Sequence, residues 1–427
     1  MERTLINEIS GKPGEKVLIK GRAMIVRKLG GLSFVVVRDR SGSIQVVFEK
    51  DSGIKVGDAV EITGEVKKDE RAKGSFEITG EKVEVVANNV EDLPFDLARN
   101  ELNLTIDNLF DFRPLSLRHP KIQAIFKIYD LLLKGYEEVM REEGFTEIKT
   151  PKILEAATEG GANFFQIKYF DKKAYLAQSP QFYKQIMAGV FERVFEIGTA
   201  FRAEPHFTTR HVNEYTSLDA EIAFIKDFYD VCRILNKVLG KIFRKVGEEG
   251  VEYLKFYEAQ MPEVPEEIPY VKLADIKKII EKKYNYKISD DTDIDPEGER
   301  LAGRYAKEEF NSEFIFVTHY PWKDKPFYTM PSPENPEETC GFDLLLRGME
   351  VVTGSQRIHL YKMLMENMKR KGVKPDGMEF YLNIFKFAMP PHGGWGMGSE
   401  RLVQQILGLK SVKEAVLFPR DVKRLSP

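Results

Sequence analysis

A cation, an acid and a second pair of cations are spaced along one hairpin near the middle of the chain. The run Phe201-Arg202-Ala203-Glu204 is followed by a polar loop, then by Arg210-His211-Val212-Asn213-Glu214-Tyr215, and closes in Thr216-Ser217-Leu218-Asp219-Ala220-Glu221. Alternate residues of an extended strand share a face, so Arg202 and Glu204 point one way, as do Ser217, Asp219 and Glu221 on the return strand. Arginine takes phosphate oxygens, glutamate accepts from an exocyclic amine, and Arg210 with His211 can meet distal phosphates. A triphosphate carried on adenine fits such a surface. On these residues alone, a salt-bridged surface hairpin fits equally well.

A second constellation follows at Phe342-Asp343-Leu344-Leu345-Leu346 and Met349-Glu350-Val351-Val352, separated by Arg347-Gly348. A two-residue turn there pairs Leu345 with Glu350 and sets Asp343 and Glu350 on one face. Two carboxylates on one face with no nearby lysine invite Mg²⁺, which completes its shell with phosphate oxygens and water, the alternative being a pair of solvated surface acids. Beyond them, Thr353-Gly354-Ser355-Gln356-Arg357 adds hydroxyls and a cation. The run His392-Gly393-Gly394-Trp395-Gly396-Met397-Gly398-Ser399-Glu400-Arg401 lets a flat ligand approach the backbone, with Arg401 opening a helix that stops at Gly408. Its spacing is not that of a dinucleotide-binding fingerprint, and no phosphate-binding loop of the Gly-x₄-Gly-Lys type occurs. Two further clusters precede the hairpin: Thr158-Glu159-Gly160-Gly161, and Ala177-Gln178-Ser179-Pro180-Gln181-Phe182-Tyr183-Lys184-Gln185.

The elements that position these groups can be read around them. A length of 427 residues calls for about two or three domains. With a net charge of -3, any nucleic-acid binding must come from local basic patches rather than a global positive field. Cys232 and Cys340 lack metal-type spacing, which argues against a disulfide framework and fits a reducing cytoplasm. No signal core and no apolar run long enough to span a bilayer is seen, so no membrane is expected. Strand-like runs at 17–19, 32–38, 43–48, 59–63 and 76–86, broken by glycine turns, predict a small barrel. Five strands with Arg22, Arg27, Lys28, Phe34, Arg38 and Gln45 among them suit an OB-fold. Residues 88–120 are polar and contain three prolines, as a linker would.

Ile122, Ile125, Phe126, Tyr129, Leu132, Leu133, Tyr136 and Met140 recur at helical spacing, with Gly144 as the stop. Residues 145–151 then read as a strand ending at Pro151, suited to an edge or an interface. Residues 225–330 alternate helical and strand-like stretches without a chemical constellation. The expected class is α+β, with an OB-fold barrel over 1–88, a linker over 89–120 and a catalytic domain over 121–427.

The strand ending in Pro151, the Phe201 to Glu204 hairpin and the Gly398-Ser399-Glu400-Arg401 segment resemble motifs 1, 2 and 3 of the class II aminoacyl-tRNA synthetases. The barrel is similar to the anticodon-binding domain of subclass IIb, and residues 177–185 resemble the aspartyl branch, in its compact archaeal-type form. The resemblance covers nearly the whole chain. It implies an antiparallel catalytic sheet flanked by helices, a cytoplasmic homodimer, and ATP-dependent formation of aspartyl-adenylate with transfer to the 3′ end of tRNA-Asp, either alone or with tRNA-Asn as a second acceptor, a choice the barrel leaves open. It also implies roles for particular residues. Arg202 holds the α-phosphate, Glu204 accepts from adenine, Tyr215 and Arg401 sandwich the ring, and Arg210 and His211 meet the terminal phosphates. Asp343, Glu350 and Thr353 bind Mg²⁺. Glu159, Gln181 and Asp219 surround the ammonium of aspartate, while Lys184 and Arg357 clamp its side-chain carboxylate. In the barrel, Phe34 stacks on an anticodon base beside Arg27 and Gln45.

Some positions depart from the family pattern. Gly21-Arg22 stands where Gly-Trp is usual, Met24 where an aromatic or histidine is common, Gly354-Ser355 for Gly-Gly and Thr353 for serine. An asparaginyl enzyme, a tRNA-independent asparagine-forming paralogue and a non-catalytic RNA-binding paralogue are the rival readings. The Lys184 cation speaks against the first and the barrel against the second. The joint presence of Arg202, Arg401, Asp343 and Glu350 speaks against the third.

Overall fold

The computed structural model describes every residue except 71, 73, 100, 156–163, 206, 207 and 427. The chain folds as two units, residues 1–106 and 107–427. The first is a closed barrel of β1 (Lys16–Leu29), β2 (Leu32–Arg38), β3 (Ser43–Phe48), β4 (Ala59–Lys68) and β5 (Phe76–Ala87), in the order β1-β2-β3-β5-β4. Alternation fills its interior: Val17, Ile19, Val35, Val37, Val46, Ile62 and Ile78 are buried together. β1 runs far beyond the expected 17–19. Its continuation carries Gly21 and several charges, which mask the pattern, and a register shift between Ala23 and Ile25 breaks the alternation. Gly21 is needed there, because a Cβ would sit 2.5 Å from the carbonyl oxygen of Arg38 on β2.

The second unit begins with α1 (Ile106–Asp111) and α2 (Arg113–Ser116), helical turns inside the stretch expected to be linker. The long α3 (Pro120–Glu142) follows and ends at Gly144, whose φ is +80°. The predicted stripe is its buried face, with Ile125, Leu132, Tyr136 and Met140 fully enclosed. Of the strand expected at 145–151 only β6 (Thr146–Glu147) forms. Next come the small strands β7 (Ile153–Leu154), β8 (Gln166–Tyr169) and β9 (Lys172–Leu176), then α4 (Gln181–Phe191), β10 (Arg193–Phe201), β11 (Glu214–Ala223), α5 (Phe228–Glu249) and the short α6 (Val251–Leu254). The chain continues through β12 (Tyr270–Lys272), α7 (Leu273–Tyr284), α8 (Pro296–Phe310), β13 (Phe314–Thr318), β14 (Gly341–Leu346) and β15 (Met349–Arg357). It closes with α9 (Tyr361–Arg370), α10 (Glu379–Lys386), β16 (His392–Gly398) and α11 (Ser399–Leu407), which stops at Gly408 in a left-handed conformation.

Eight strands make the main sheet in the order β12-β13-β14-β15-β16-β11-β10-β6, antiparallel except for the outer pairs β12 with β13 and β10 with β6. The unit is therefore α+β. α3 and α5 bury their apolar stripes in one core with the sheet residues Phe195, Leu218, Phe342, Val352, Trp395 and Met397. A few polar contacts tie this layer to the chemistry above it. The buried Tyr136 hydroxyl of α3 donates to the backbone oxygen of Asp219 on β11, 3.0 Å away.

Candidate active site

A cavity of about 280 Å³ opens over β11, β15 and β16, and sheet registry decides what faces it. Asp219 pairs with Gly396 and Ser217 with Gly398, so both polar side chains stand opposite residues without one. Gly396 and Gly398 line the cavity, as expected of residues that admit a ligand. Gly393 and Gly394 have a different cause. A Cβ on Gly394 would collide with the Ala220 carbonyl and the Glu221 carboxylate, so the strand itself demands glycine there.

At one end of the cavity lie two buried cations. Lys184, the fourth residue of α4, donates to Asp219 Oδ1 at 2.7 Å and to the Trp395 carbonyl at 2.8 Å. Arg357, the last residue of β15, donates through Nε to Glu221 Oε1 at 2.9 Å, through Nη1 to Ser355 Oγ at 2.6 Å, and through Nη2 to the Gly394 carbonyl at 3.1 Å. Burial opposes the charge on Arg357, but the Glu221 carboxylate outweighs it and raises the pKa. Gln181 lines the same end, and its buried Nε2 has no hydrogen-bond partner among the described residues. Glu159 lies outside the described residues.

The other end is cationic too. Arg202 and Glu204 leave β10 into the following loop, 3.7 Å apart at Nη1 and Oε1, and Arg202 Cζ lies 5.6 Å from the Tyr215 ring centroid. His211 Nε2 approaches Glu204 Oε2 at 3.4 Å. Burial lowers the His211 pKa, and Arg401, Arg210 and Arg202 lower it further against the pull of Glu204. Arg401 sits in the first turn of α11 and donates to the Glu350 backbone oxygen at 2.9 Å, with Glu350 Oε1 3.2 Å away. Arg202, Glu204, Arg210, His211, Tyr215, Glu350, Thr353 and Arg401 all line the cavity, as do Lys184, Asp219 and Arg357.

The carboxylate pair is placed by the β14–β15 hairpin. Leu345 pairs with Glu350 as the turn predicts, but a register shift then brings Thr353 opposite Asp343. The expectation of no lysine near the pair is corrected: Lys325 Nζ lies 3.3 Å from Asp343 Oδ2, reaching in from a loop 18 residues upstream. Asp343 does not line the cavity itself. Its other oxygen, Oδ1, is buried and has no hydrogen-bond partner among the described residues. That unsatisfied anionic oxygen, with a second carboxylate on Glu350 and the Thr353 hydroxyl nearby, fits a hard oxygen-seeking cation such as Mg²⁺.

Two charged site groups come from residues 225–330, where the sequence showed no constellation. One is Lys325. The other is Glu299 of α8, which receives the Arg210 guanidinium and accepts from the Glu350 backbone N–H at 2.9 Å. Burial pushes the Glu299 carboxyl up to about 6, with Arg210 pulling the other way. Neither stands in a motif, and only folding brings them to the site. Glu221 was visible as a strand-face acid, but its part in holding Arg357 was not.

In the barrel, Arg27 of β1 pairs with Phe34 of β2, and Gln45 of β3 pairs with Val36. The three share the outer face of these strands, because the alternate residues Val35 and Val37 are buried in the barrel. Phe34 is half-buried rather than a core residue. Gln45 Nε2 donates to Glu77 Oε2 at 3.1 Å.

The family profile described as "tRNA synthetases class II (D, K and N)" matches residues 105–422, and that for "OB-fold nucleic acid binding domain" matches residues 17–93. The chain is 43% identical to the aspartate–tRNA(Asp/Asn) ligase of Aeropyrum pernix, over 97% of this chain and 96% of that one. It is 41% identical to the aspartate–tRNA(Asp) ligase of Pyrococcus furiosus, over 99% and 98%. Among solved structures it is similar to the asparaginyl-tRNA synthetase of Pyrococcus horikoshii complexed with asparaginyl-adenylate, with a TM-score of 0.92, 30% identity and full coverage of both chains.

Proposed function

The chain belongs to the class II tRNA synthetases of the aspartate, lysine and asparagine group, and from that premise we propose that it is an aspartate–tRNA ligase. It activates L-aspartate with ATP to aspartyl-adenylate and transfers the aspartyl group to the 3′-hydroxyl of tRNA-Asp. The observation that carries the reading is the buried pair Lys184 and Arg357 at one end of a cavity whose other end holds Arg202, Arg210 and Arg401.

The substrate carboxylate is already ionised at neutral pH, so attack on the α-phosphorus needs no general base. Rate enhancement comes from alignment and from neutralising charge as it develops. Arg202 takes the α-phosphate, Tyr215 and Arg401 hold adenine between them, and Glu204 accepts from its amine. Arg210 and His211 receive the terminal phosphates. Mg²⁺, held by Asp343 and Glu350 with the Thr353 hydroxyl, would neutralise phosphate charge when bound. Gln181, Asp219 and Glu159 bind the substrate ammonium.

Lys184 and Arg357 choose between aspartate and asparagine. Each cation already has a protein acid, Asp219 or Glu221, so the preference is that of a charge-assisted contact to a carboxylate over one to a neutral amide, about 1.5–3 kcal/mol or roughly ten- to a hundred-fold. The outer face with Arg27, Phe34 and Gln45 takes the anticodon. The outer strand β6 leaves a sheet edge for pairing with a second copy, making the working form a homodimer, and the reaction is cytoplasmic. Among the described residues no helix is long and apolar enough to cross a membrane.

Pyrophosphate exchange driven by aspartate but not asparagine, followed by charging of purified tRNA-Asp and tRNA-Asn transcripts, tests the reading. Exchange with asparagine alone would reassign the enzyme, and exchange with neither would leave an RNA-binding protein. The two transcripts decide whether tRNA-Asn is a second acceptor.

A further inference from the structure

Each arginine at the phosphate end of the cavity is matched by a carboxylate of the protein. Arg202 has Glu204, which His211 also approaches, Arg401 has Glu350, and Arg210 has Glu299. Glu204 and Glu350 line the cavity themselves, but Glu299 does not. Its residue is only 8% exposed, and one oxygen, Oε2, serves both the Arg210 guanidinium and the Glu350 backbone N–H.

The two partners of this contact differ in freedom. Glu299 stands in the first turn of α8, which is packed backbone to backbone against the β14–β15 turn. A Cβ on Gly348 would lie 2.7 Å from Arg300 Cα, and the Gly348 φ of +76° already excludes most side chains. The carboxylate cannot follow Arg210 into the cavity. Arg210 belongs to the loop between β10 and β11, lines the cavity, and has a long side chain that can turn.

Resting on the ATP-site reading above, we propose that Glu299 is a positioning residue whose carboxylate occupies the anion place of Arg210 while no triphosphate is bound. The terminal phosphate must then displace a resident acid. Arg210 exchanges one oxyanion for another, so its charge is never left unpaired in a half-buried site. The same carboxylate recaptures Arg210 when pyrophosphate departs. Glu299 thereby weakens nucleotide binding and favours product release, without touching substrate.

The test is equilibrium binding of ATP, of pyrophosphate and separately of aspartate to the full-length protein. Glu299→Gln is expected to bind ATP and pyrophosphate roughly tenfold more tightly, the size of one charge-assisted contact no longer in competition. Aspartate affinity should stay within about twofold, since Lys184 and Arg357 are untouched. With Arg210→Met in the background, the gain from Glu299→Gln should vanish, because the carboxylate then has nothing to compete for. Glu299→Asp, which withdraws the acid by one methylene, should shift ATP binding in the same direction by less and covers the case in which the glutamine variant folds poorly. Unchanged or weaker ATP binding by a folded Glu299 variant would overturn the proposal, as would a gain that persists without Arg210. Failure of the unmodified protein to bind ATP would instead overturn the site assignment, and this proposal with it.

Discussion

Lys184 Nζ and Asp219 Oδ1 are 2.7 Å apart, with 2% and 3% of their side-chain surfaces exposed. The ammonium proposed to bind the substrate carboxylate is thus already oriented by an acid on β11. Replacing Lys184 by methionine keeps most of the volume but leaves Asp219 as an uncompensated buried charge. Aspartate-dependent pyrophosphate exchange should fall by roughly two to three orders of magnitude in kcat/KM. ATP binding, measured without aspartate, should be nearly unaffected. Equal losses in both would mean that Lys184 holds the fold rather than the amino acid.

Arg113 ties the end of the chain to the loop proposed to bind ATP. Its guanidinium donates to the backbone oxygens of Glu414, Val416 and Leu417 at 3.2, 2.6 and 2.7 Å, and the residue is 1% exposed. The segment it holds bonds in turn to the loop bearing Arg210 and His211: Val412 N–H donates to the Thr209 oxygen at 2.9 Å, and Asn213 N–H to the Arg420 oxygen at 2.8 Å. Arg113→Ala should lower stability by about 3–5 kcal/mol in a denaturant titration and weaken ATP binding more than aspartate binding. Lysine should restore little, since it lacks the planar fork that reaches several carbonyls at once.

His392 makes stability depend on pH. It is completely buried; its Nδ1–H donates to the Pro390 oxygen at 2.9 Å, and Nε2 has no partner among the described residues. Burial pulls its pKa down to about 4, with Arg357 and His359 acting the same way and Glu221 against them. A depressed folded-state pKa means that the stability from neutral His392 is fully present above about 6.5. It is lost as pH falls toward 4, by about 3 kcal/mol in all. His392→Phe should flatten that part of the stability profile in urea titrations run from pH 7 to pH 4; an unchanged slope would show that other groups cause the loss.

Phe34 should separate the two half-reactions. Its ring stands on the outer face of the barrel beside Arg27. Removing one stacked base is worth about 1–3 kcal/mol, so Phe34→Ala should raise the KM for tRNA by roughly five- to a hundred-fold. Aspartate-dependent pyrophosphate exchange, which requires no anticodon, should be unchanged. A parallel fall in exchange would contradict a role confined to tRNA.

The existence of five barrel strands, the stripe of α3 with its Gly144 stop, and the Gly408 stop of α11 are legible in the chain, because their signals are local: period two, period 3.6, and glycine where φ turns positive. The start of α11, expected at Arg401, lies two residues earlier at Ser399, and β1 runs well past its expected end. The site residues carried by the hairpin and the glycine run share this property, as neighbours in sequence on one strand or one turn. Lys325 and Glu299 do not. Each lies in a segment without a motif, and each meets its partner across a separation of 18 or 89 residues. Even the glycine run divided on folding: Gly396 and Gly398 open onto the cavity, while Gly394 is a glycine because Glu221 lies beneath it.

Residue type and short-range periodicity reached the barrel and the long helix, and the motifs that resemble the class II synthetases added the catalytic domain and most of the residues that line the cavity, since such signals lie within a few residues of one another. Which acid restrains which cation was settled only in three dimensions. Lys184 with Asp219, Arg357 with Glu221, Arg210 with Glu299 and Lys325 with Asp343 are pairings set by sheet order and loop packing. Coulomb energy depends on distance and burial rather than on position along the chain.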